Sequence, residues 1–554
     1  MISNPGIEVP ELSLYDVLAK TTTEHPDNIA YVYFGYSVSY RKFLSQVDDL
    51  SLRLRKIGVK KGDNVIICLP NCPQAFISFY ALSRLGAIAV MVHPLSSPNE
   101  IEFYIKDSES RTAITMDRFA DKFPKVGTEE LDNLIVTSAM DVFPTFKRTI
   151  AKIVSKDARP IPYSNSGAMS WKAFMKLNTS DVDRNMPHVG VDEPASILYT
   201  GGTTGRNKGA VHSSRTFNVT SMGMIELSGI LGEGDTMLTQ MPMFHGFGLC
   251  TCVHLPVCIG LRCIIMPTFT LDSLCQIIVK NKVNFIAGVP SMYEKMVDNK
   301  YLKDADLSFI KGIFCGGDSM SVESKARFDE FAAKHGCKTK IRIGFGCTEC
   351  LTATAITPKY EERPGSVGVP IPGMMYKIVD QDTCEELPDG TCGEMCISGP
   401  ALMTCYYNNK EETENSLRVH DDGRIWLHTG DLGYIDDGFI YFRNRIKRII
   451  ITSGYNVYPS QIEEILSKHP MVDSSCVIGV PDRLRGTKVK AVIVLKKDVE
   501  RNEDTEKSIS SFVKANISSY ARPREYEFVD SLPRTKLGKV DYRCLQEKEA
   551  ERSE

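Results

Sequence analysis

The stretch that decides the reading is Pro194–Ser214, "PASILYTGGTTGRNKGAVHSS". Its first six residues are short, mostly apolar and bounded by Pro and Gly, the pattern of a buried strand. The residues that follow are of the opposite kind. From Tyr199 to Gly209 the chain places four glycines, three threonines, an arginine and a lysine. Glycine tolerates φ > 0 and close approach, so such a loop can turn several backbone N–H groups toward one anion. Thr203 and Thr204 add hydroxyl donors, and Lys208 adds a mobile positive charge. A strand followed by this kind of loop is a common phosphate site in α/β proteins. The kinase-type phosphate loop is a different pattern, because it needs Gly-Lys-Ser/Thr and Lys208 stands between Asn207 and Gly209. A flexible surface turn could carry the same residues.

Before and after this loop, amphipathic helices alternate with short apolar strands. "RKFLSQVDDLSLRLRKIG" (Arg41–Gly58) repeats apolar residues at helical spacing and stops at a glycine. "DNVIICLP" reads as a buried strand, "CPQAFISFYALSRLGA" as a helix and "AIAVMVHP" as the next strand. The alternation continues through "VNFIAGVP" and "LSFIKGIFCGG" and predicts parallel sheets covered by helices. After about Gly365 the strands and turns shorten, as in "MMYKIVDQDT" and "GFIYFRNR". A separate α+β tail is expected from near Ile446. Its clearest helix is "YPSQIEEILSKHP", with Pro459 in the first turn, and "VKAVIVLK" is a strand.

The totals bound the class. At 554 residues the chain is too long for one core. A net charge of −3 gives no general attraction to nucleic acid, and no nucleic-acid-binding motif is present. Seventeen cysteines are read as scattered single thiols in a reducing cytosol, with "CTEC" (Cys347–Cys350) the nearest approach to a pair. The N-terminus shows no signal peptide pattern, so a cytoplasmic location is expected. "GFGLCTCVHLPVCIGLRCIIM" (Gly246–Met266) is long enough to span a membrane. It contains His254, Pro256, Gly260 and Arg262, and is read as two buried core segments broken near Pro256. "FPTFKRTIAKIVSKDARPIP" (Phe143–Pro162) interleaves apolar residues with Lys147, Arg148, Lys152, Lys156 and Arg159. It reads as a solvated helix on the body, or as a peripheral contact with the anionic inner membrane surface.

Four further stretches join the loop: "GFGCTEC" (Gly344–Cys350), "LHTGDLG" (Leu427–Gly433), "RNRIKRIIITSGYNVYPSQIE" (Arg443–Glu463) and "LPRTKLGKVDY" (Leu532–Tyr542). Their order and spacing resemble the adenylate-forming superfamily, which includes acyl-CoA synthetases, luciferases and peptide-synthetase adenylation domains. The likeness runs from about Leu14 to Tyr542. It implies a large N-terminal body over 1–444, a hinge at 445–447 and a mobile C-terminal domain over 448–554. The implied co-substrates are ATP with Mg²⁺, coenzyme A and a small carboxylic acid. The chemistry suits these residue types. A carboxylate becomes a usable electrophile only after it attacks the α-phosphate of ATP, and two anions meet only where positive charge is placed.

By this resemblance Thr200, Thr203, Thr204, Gly205 and Lys208 hold the β- and γ-phosphates. Glu349 holds Mg²⁺, with Thr203 beside it, since a hard cation takes oxygen ligands. Gly316, Gly317 and Asp318, in "CGGDS", line the adenine, and Phe345 stacks on it beside Gly346 and Thr348. Asp431 accepts from the ribose hydroxyls, with Arg445 assisting. Lys539 reaches the α-phosphate and the acyl carboxylate. Lys447 is the hinge on which the tail rotates, and Gly454 with Tyr455 borders the pantetheine tunnel. His245 gates the acid, and Phe247, Gly248, Gly288, Phe314, Cys315 and Gly316 line the acyl pocket, where glycines would leave room for a chain. Gly201 stands where serine is usual, Asn207 where proline is usual, and Phe345 where tyrosine is common. The likeness is greatest to bacterial fatty acyl-CoA ligases, which implies a medium- or long-chain fatty acid. An aryl- or bile-acid-type ligase and a stand-alone adenylation enzyme loading a carrier protein remain open. So does the oligomeric state, a homodimer included.

Overall fold

The computed structural model describes the chain except residues 144–160, 166, 201–206, 230–231, 233, 267–268, 453–454, 483–485, 518–520, 536–538 and 554, and the side chains of 447, 451, 455, 456, 486 and 553. Most of the basic segment Phe143–Pro162, together with Thr203, Thr204, Gly205 and Gly454, lies outside the described residues. The chain divides into two compact units. The larger comprises Ile2–Tyr376 and Ile397–His428. The smaller comprises Met1, Lys377–Cys396 and Thr429–Glu554.

The larger unit holds two helix-flanked sheets. One runs in the order Cys405–Tyr406, Gly209–Ser213, Pro194–Tyr199, Ile88–Met91, Asn64–Cys68, Thr112–Met116, Asn133–Thr137 and Met169–Ser170. It is parallel from Pro194–Tyr199 onward, and antiparallel at the end that carries Gly209–Ser213. The other has six parallel strands at its centre: Ile341–Gly346, Gly312–Cys315, Phe285–Gly288, Thr236–Thr239, Arg262–Ile265 and Ile29–Tyr33. Parallel strands bury both faces, which is why these segments read as unbroken apolar runs. The helix Tyr40–Lys56 turns Phe43, Val47, Leu50 and Leu54 into the core, takes a cap from Ser39 and is followed by Gly58 at φ +97.

The apolar stretch Gly246–Met266 is core, but it does not break at Pro256. A π-helix over Phe247–His254 runs on into the helix Leu255–Cys258, and Pro256 sits just past that junction, where the carbonyl four residues back, on Cys252, accepts from Thr239 Oγ1 at 2.9 Å instead. The chain turns instead at Gly260, φ +70, where a Cβ would stand 3.0 Å from the His25 ring. Among the described residues no helix is long and apolar enough to cross a membrane.

In the smaller unit the last residues of the strand Ile425–Asp436 pair antiparallel with Phe439–Arg445. Beyond them, Val472–Asp482, Gly486–Leu495 and Glu525–Phe528 form a three-stranded sheet. The helices Pro459–Ser467 and Glu503–Asn516 pack on it through Ile462, Leu466, Ile509 and Val513. Lys490 is buried there among three carboxylates, at 2.7 Å from Glu525, 2.9 Å from Glu527 and 2.8 Å from Glu549.

Candidate active site

Pro194–Tyr199 and Gly209–Ser213 pair with Tyr199 opposite Gly209, so the glycine-rich loop closes a hairpin. The loop base is clasped twice. The Thr200 N–H donates to the Lys208 carbonyl at 2.9 Å, and the Lys208 N–H donates to Thr200 Oγ1 at 3.3 Å. Gly209 is needed at this crossing, because a Cβ there would lie 2.8 Å from Ile197 Cγ2. Asn207 uses its amide to donate to the Tyr104 hydroxyl at 2.7 Å, a bond a proline could not make.

The Lys208 ammonium lies 2.9 Å from Glu412 Oε2 and 4.4 Å from the centroid of the Tyr406 ring. The Tyr406 hydroxyl donates to Glu349 Oε1 at 2.5 Å. Burial and the Glu349 charge push the Tyr406 hydroxyl far above its usual pKa. Glu349 is half-buried in the short 3₁₀ turn Thr348–Cys350, and its carbonyl accepts from the Met403 N–H at 2.7 Å. A carboxylate held by a phenol offers hard oxygen donors, and it fits Mg²⁺. Tyr406 and Glu412 escaped the sequence reading. Both belong to "CYYNNKEET", far from Glu349 in sequence, with no local pattern to single them out.

The turn is held firmly. Leu351, which follows it, has φ +67, a conformation that strains a branched side chain. Its carbonyl packs on Gly246, where a Cβ would come within 1.7 Å of it. Cys347 and Cys350, read as the nearest approach to a pair, are one: their sulfurs lie 3.5 Å apart as free thiols. The C–x–x–C spacing was there to be seen. His212 is wholly buried on the Gly209–Ser213 strand, facing the Thr348 backbone, and burial pushes its pKa down to about 4.

Parallel strands offer their carboxyl ends to ligands. Gly312–Cys315 ends at Gly316, whose N–H donates to the Gly288 carbonyl at 3.1 Å, then Gly317 at φ +83 and the exposed Asp318. Ile341–Gly346 ends beside it. The Phe345 ring is 9 % exposed and meets Tyr376 edge-on at 6.5 Å. His245 is half-buried, and its Nδ1 accepts from the Phe247 N–H at 3.3 Å. The π-helix that starts at Phe247 is a rare element often found at functional sites. Phe314 and Cys315 are buried on the adjacent strand, where burial pushes the Cys315 thiol up. The glycines of this wall differ from the expectation of spare room. A Cβ on Gly248 would lie 2.1 Å from the Pro242 carbonyl, and one on Gly288 would lie 2.1 Å from Met292 Cε. Close packing on the Pro242 backbone requires Gly248, whereas Gly288 meets the movable end of the Met292 side chain.

In the smaller unit Asp431 and Arg445 face each other across the hairpin, Arg445 Nε at 3.2 Å from Asp431 Oδ1. Asp431 is 2 % exposed, and its N–H donates to Thr429 Oγ1 at 3.1 Å. Gly430, φ +68, donates its N–H to Glu394 Oε1 at 2.9 Å. Lys447 lies in the 3₁₀ turn Ile446–Arg448, and Tyr455 opens the strand Tyr455–Val457. Lys539 is half-buried, and its carbonyl closes a turn by accepting from the Thr535 N–H at 2.7 Å.

Comparison with known proteins gives the family and the fold. The model of the AMP-binding enzyme family matches residues 18–407, and that of the AMP-binding enzyme C-terminal domain matches 461–539. The chain is 32% identical over 552 residues to the long-chain-fatty-acid–CoA ligase of Bacillus subtilis (strain 168), spanning 98% of this chain and 96% of that one. It is 29% identical over 544 residues to the long-chain-fatty-acid–CoA ligase of Escherichia coli O6:H1 (strain CFT073), spanning 97% and 94%. The crystal structure of ATP-bound MatB from Rhodopseudomonas palustris shares the fold at TM-score 0.79 and 24% identity, over 97% and 99% of the two chains. With one family model covering most of the larger unit and its companion domain matched behind it, the chain belongs to the AMP-binding, adenylate-forming enzymes.

Proposed function

We propose that the protein is an ATP- and Mg²⁺-dependent acyl-CoA ligase that forms an acyl adenylate, releases pyrophosphate, and passes the acyl group to coenzyme A. Its acid is a medium- or long-chain fatty acid. The observation that carries this reading is the full-length likeness to the Bacillus subtilis ligase.

The residues divide the work. Thr200, Thr203, Thr204, Gly205 and Lys208 hold the β- and γ-phosphates. Glu349 holds Mg²⁺, which when bound neutralises the triphosphate. Gly316, Gly317, Asp318 and Phe345 take the adenine, with Gly346 and Thr348 completing that edge. Asp431 accepts from the ribose diol through its two oxygens, kept in place by Arg445. Lys539 meets the negative charge that grows between the α-phosphate and the attacking carboxylate. His245 and Phe247 border the acid, with Gly248, Gly288, Phe314 and Cys315 shaping the wall. Residues 445–447 are the hinge, with Lys447 at its end, and Gly454 with Tyr455 admits the pantetheine thiol.

The test is pyrophosphate release across acetate, octanoate, palmitate, a cinnamate and a bile acid, with and without coenzyme A. Octanoate or palmitate is expected to be preferred, with AMP as the nucleotide product. Preference for cinnamate or the bile acid would replace the substrate. Release of ADP would overturn the reaction. Co-sedimentation with anionic vesicles at low salt tests the basic segment as a membrane contact.

A further inference from the structure

Lys208 and Glu349 come from distant parts of the larger unit, and one side chain joins them. Tyr406 is 3 % exposed and ends the strand Cys405–Tyr406, which pairs with Ala210 and Val211 just past Lys208. Its hydroxyl holds Glu349 Oε1, and its ring face lies under the Lys208 ammonium. Tyr406 is itself fixed, because its N–H donates to Thr413 Oγ1 at 2.9 Å. Glu412, in the first turn of the helix Lys410–Ser416, reaches the same ammonium from the other side.

We propose that Tyr406 is a positioning residue for adenylation: its hydroxyl orients the Glu349 carboxylate toward Mg²⁺, its ring seats Lys208, and Glu412 occupies the Lys208 ammonium until a triphosphate displaces it. The proposal rests on the acyl-CoA ligase reading of the site.

Three physical points carry it. A carboxylate free to spin presents its oxygens to a cation only part of the time. A phenol O–H on Oε1 stops the spin and takes up one lone pair, which leaves Oε2 and the second lone pair of Oε1 for the metal. An ammonium over an aromatic face is attracted to the ring without losing its N–H donors to it. Glu412 is 45% exposed at its side chain, so its ion pair with Lys208 is solvent-screened and exchanges readily for a phosphate.

The test uses the full chain, Mn²⁺ as a spin-active replacement for Mg²⁺, and α,β-methylene-ATP as a non-reacting nucleotide. Tyr406→Phe keeps the ring and deletes the hydroxyl. Mn²⁺ affinity in the ternary complex, read by electron paramagnetic resonance, is expected to fall at least about tenfold, the scale for an outer-shell partner of a metal ligand. Glu349→Gln weakens the metal too, and adding Tyr406→Phe to it brings no further loss if Tyr406 acts through Glu349. Glu412→Gln leaves Tyr406 untouched and is expected to tighten analogue binding, read by calorimetry, because Lys208 no longer has a competing carboxylate. Unchanged Mn²⁺ affinity in Tyr406→Phe, or losses that multiply in the double variant, overturns the role of Tyr406. Weaker analogue binding in Glu412→Gln overturns the role of Glu412. A wild-type chain that binds neither Mn²⁺ nor the analogue overturns the ligase reading itself.

Discussion

The two units place charge in different ways. In the larger unit Lys208, Glu349 and the pair Tyr406 and Glu412 arrive on three separate segments and lock one another by side-chain contacts. In the smaller unit the charged residues of interest are set by local backbone: Asp431 and Arg445 by one hairpin register, Lys539 by one turn. A mutually locked cluster is preorganised, so it loses little freedom when a charged ligand arrives. A residue carried on a turn moves as a unit with its domain. The first arrangement suits a fixed anion site, and the second suits the swinging domain that we propose.

Lys539→Ala should break this contrast most visibly. Loss of the positive charge that we propose meets the developing α-phosphate is expected to cost about 3–5 kcal/mol of barrier in adenylate formation. Thioester formation from synthetic acyl-AMP and coenzyme A should stay near the normal rate. Pyrophosphate exchange and thioester assays read the two steps, and equal loss of both would remove the swinging domain from the account. Lys447→Pro should do the reverse, forming adenylate and then stalling, because proline fixes φ at the hinge.

A pH titration compares the interiors. His212 and His254 are buried in the larger unit, and burial lowers their pKa values to about 4 and about 3. Unfolded histidine titrates near 6.5, so below that pH the unfolded chain binds protons that the folded chain refuses. Stability from these two groups is therefore full above pH 6.5 and is lost as pH falls toward 4, by about 1.4 kcal/mol per pH unit for each. Thermal melting from pH 7.5 to 5 should show the fall, and His254→Asn should flatten it. A melt independent of pH in that window would contradict the burial of the two rings.

Asp431→Ala tests the hairpin. It removes a buried acceptor and leaves Arg445 without that partner, with an expected loss of about 1.5–3 kcal/mol in ATP binding. Discrimination between ATP and its 2′-deoxy form should shrink with it, which a misfolded hairpin alone would not produce. Arg445→Lys should be mildest, under about 1 kcal/mol, since Arg445 is 43% exposed and its ion pair is screened.

What the sequence discloses follows the same divide. "PASILY" is the strand Pro194–Tyr199, and "YPSQIEEILSKHP" contains the helix Pro459–Ser467 with Pro459 in its first turn, because such signals are local. The pairing of Asp431 with Arg445 is one hairpin away from being readable. Tyr406 was beyond reach, since its partners are set by the order of strands in a sheet and not by spacing along the chain. The glycine at 248 misleads for a related reason: a missing side chain signals crowding as readily as space, and only the neighbours decide. Pro256 misleads because the carbonyl that its missing N–H leaves over, on Cys252, finds a donor in Thr239, so the helix runs on past it.

The contact between Gly246 and the Leu351 carbonyl joins two properties that protein engineers would wish to vary separately. Gly246 adjoins His245, beside the proposed acid. Leu351 lies two residues from Glu349, beside the proposed metal. A methyl group at 246 has nowhere to go except into that carbonyl, and Leu351 already holds a strained backbone with little slack to yield. Widening or narrowing the acid's entrance at this point would move the metal's carboxylate as well. Libraries aimed at new acids should therefore leave Gly246 alone and vary Met292, whose flexible side chain lies against Gly288.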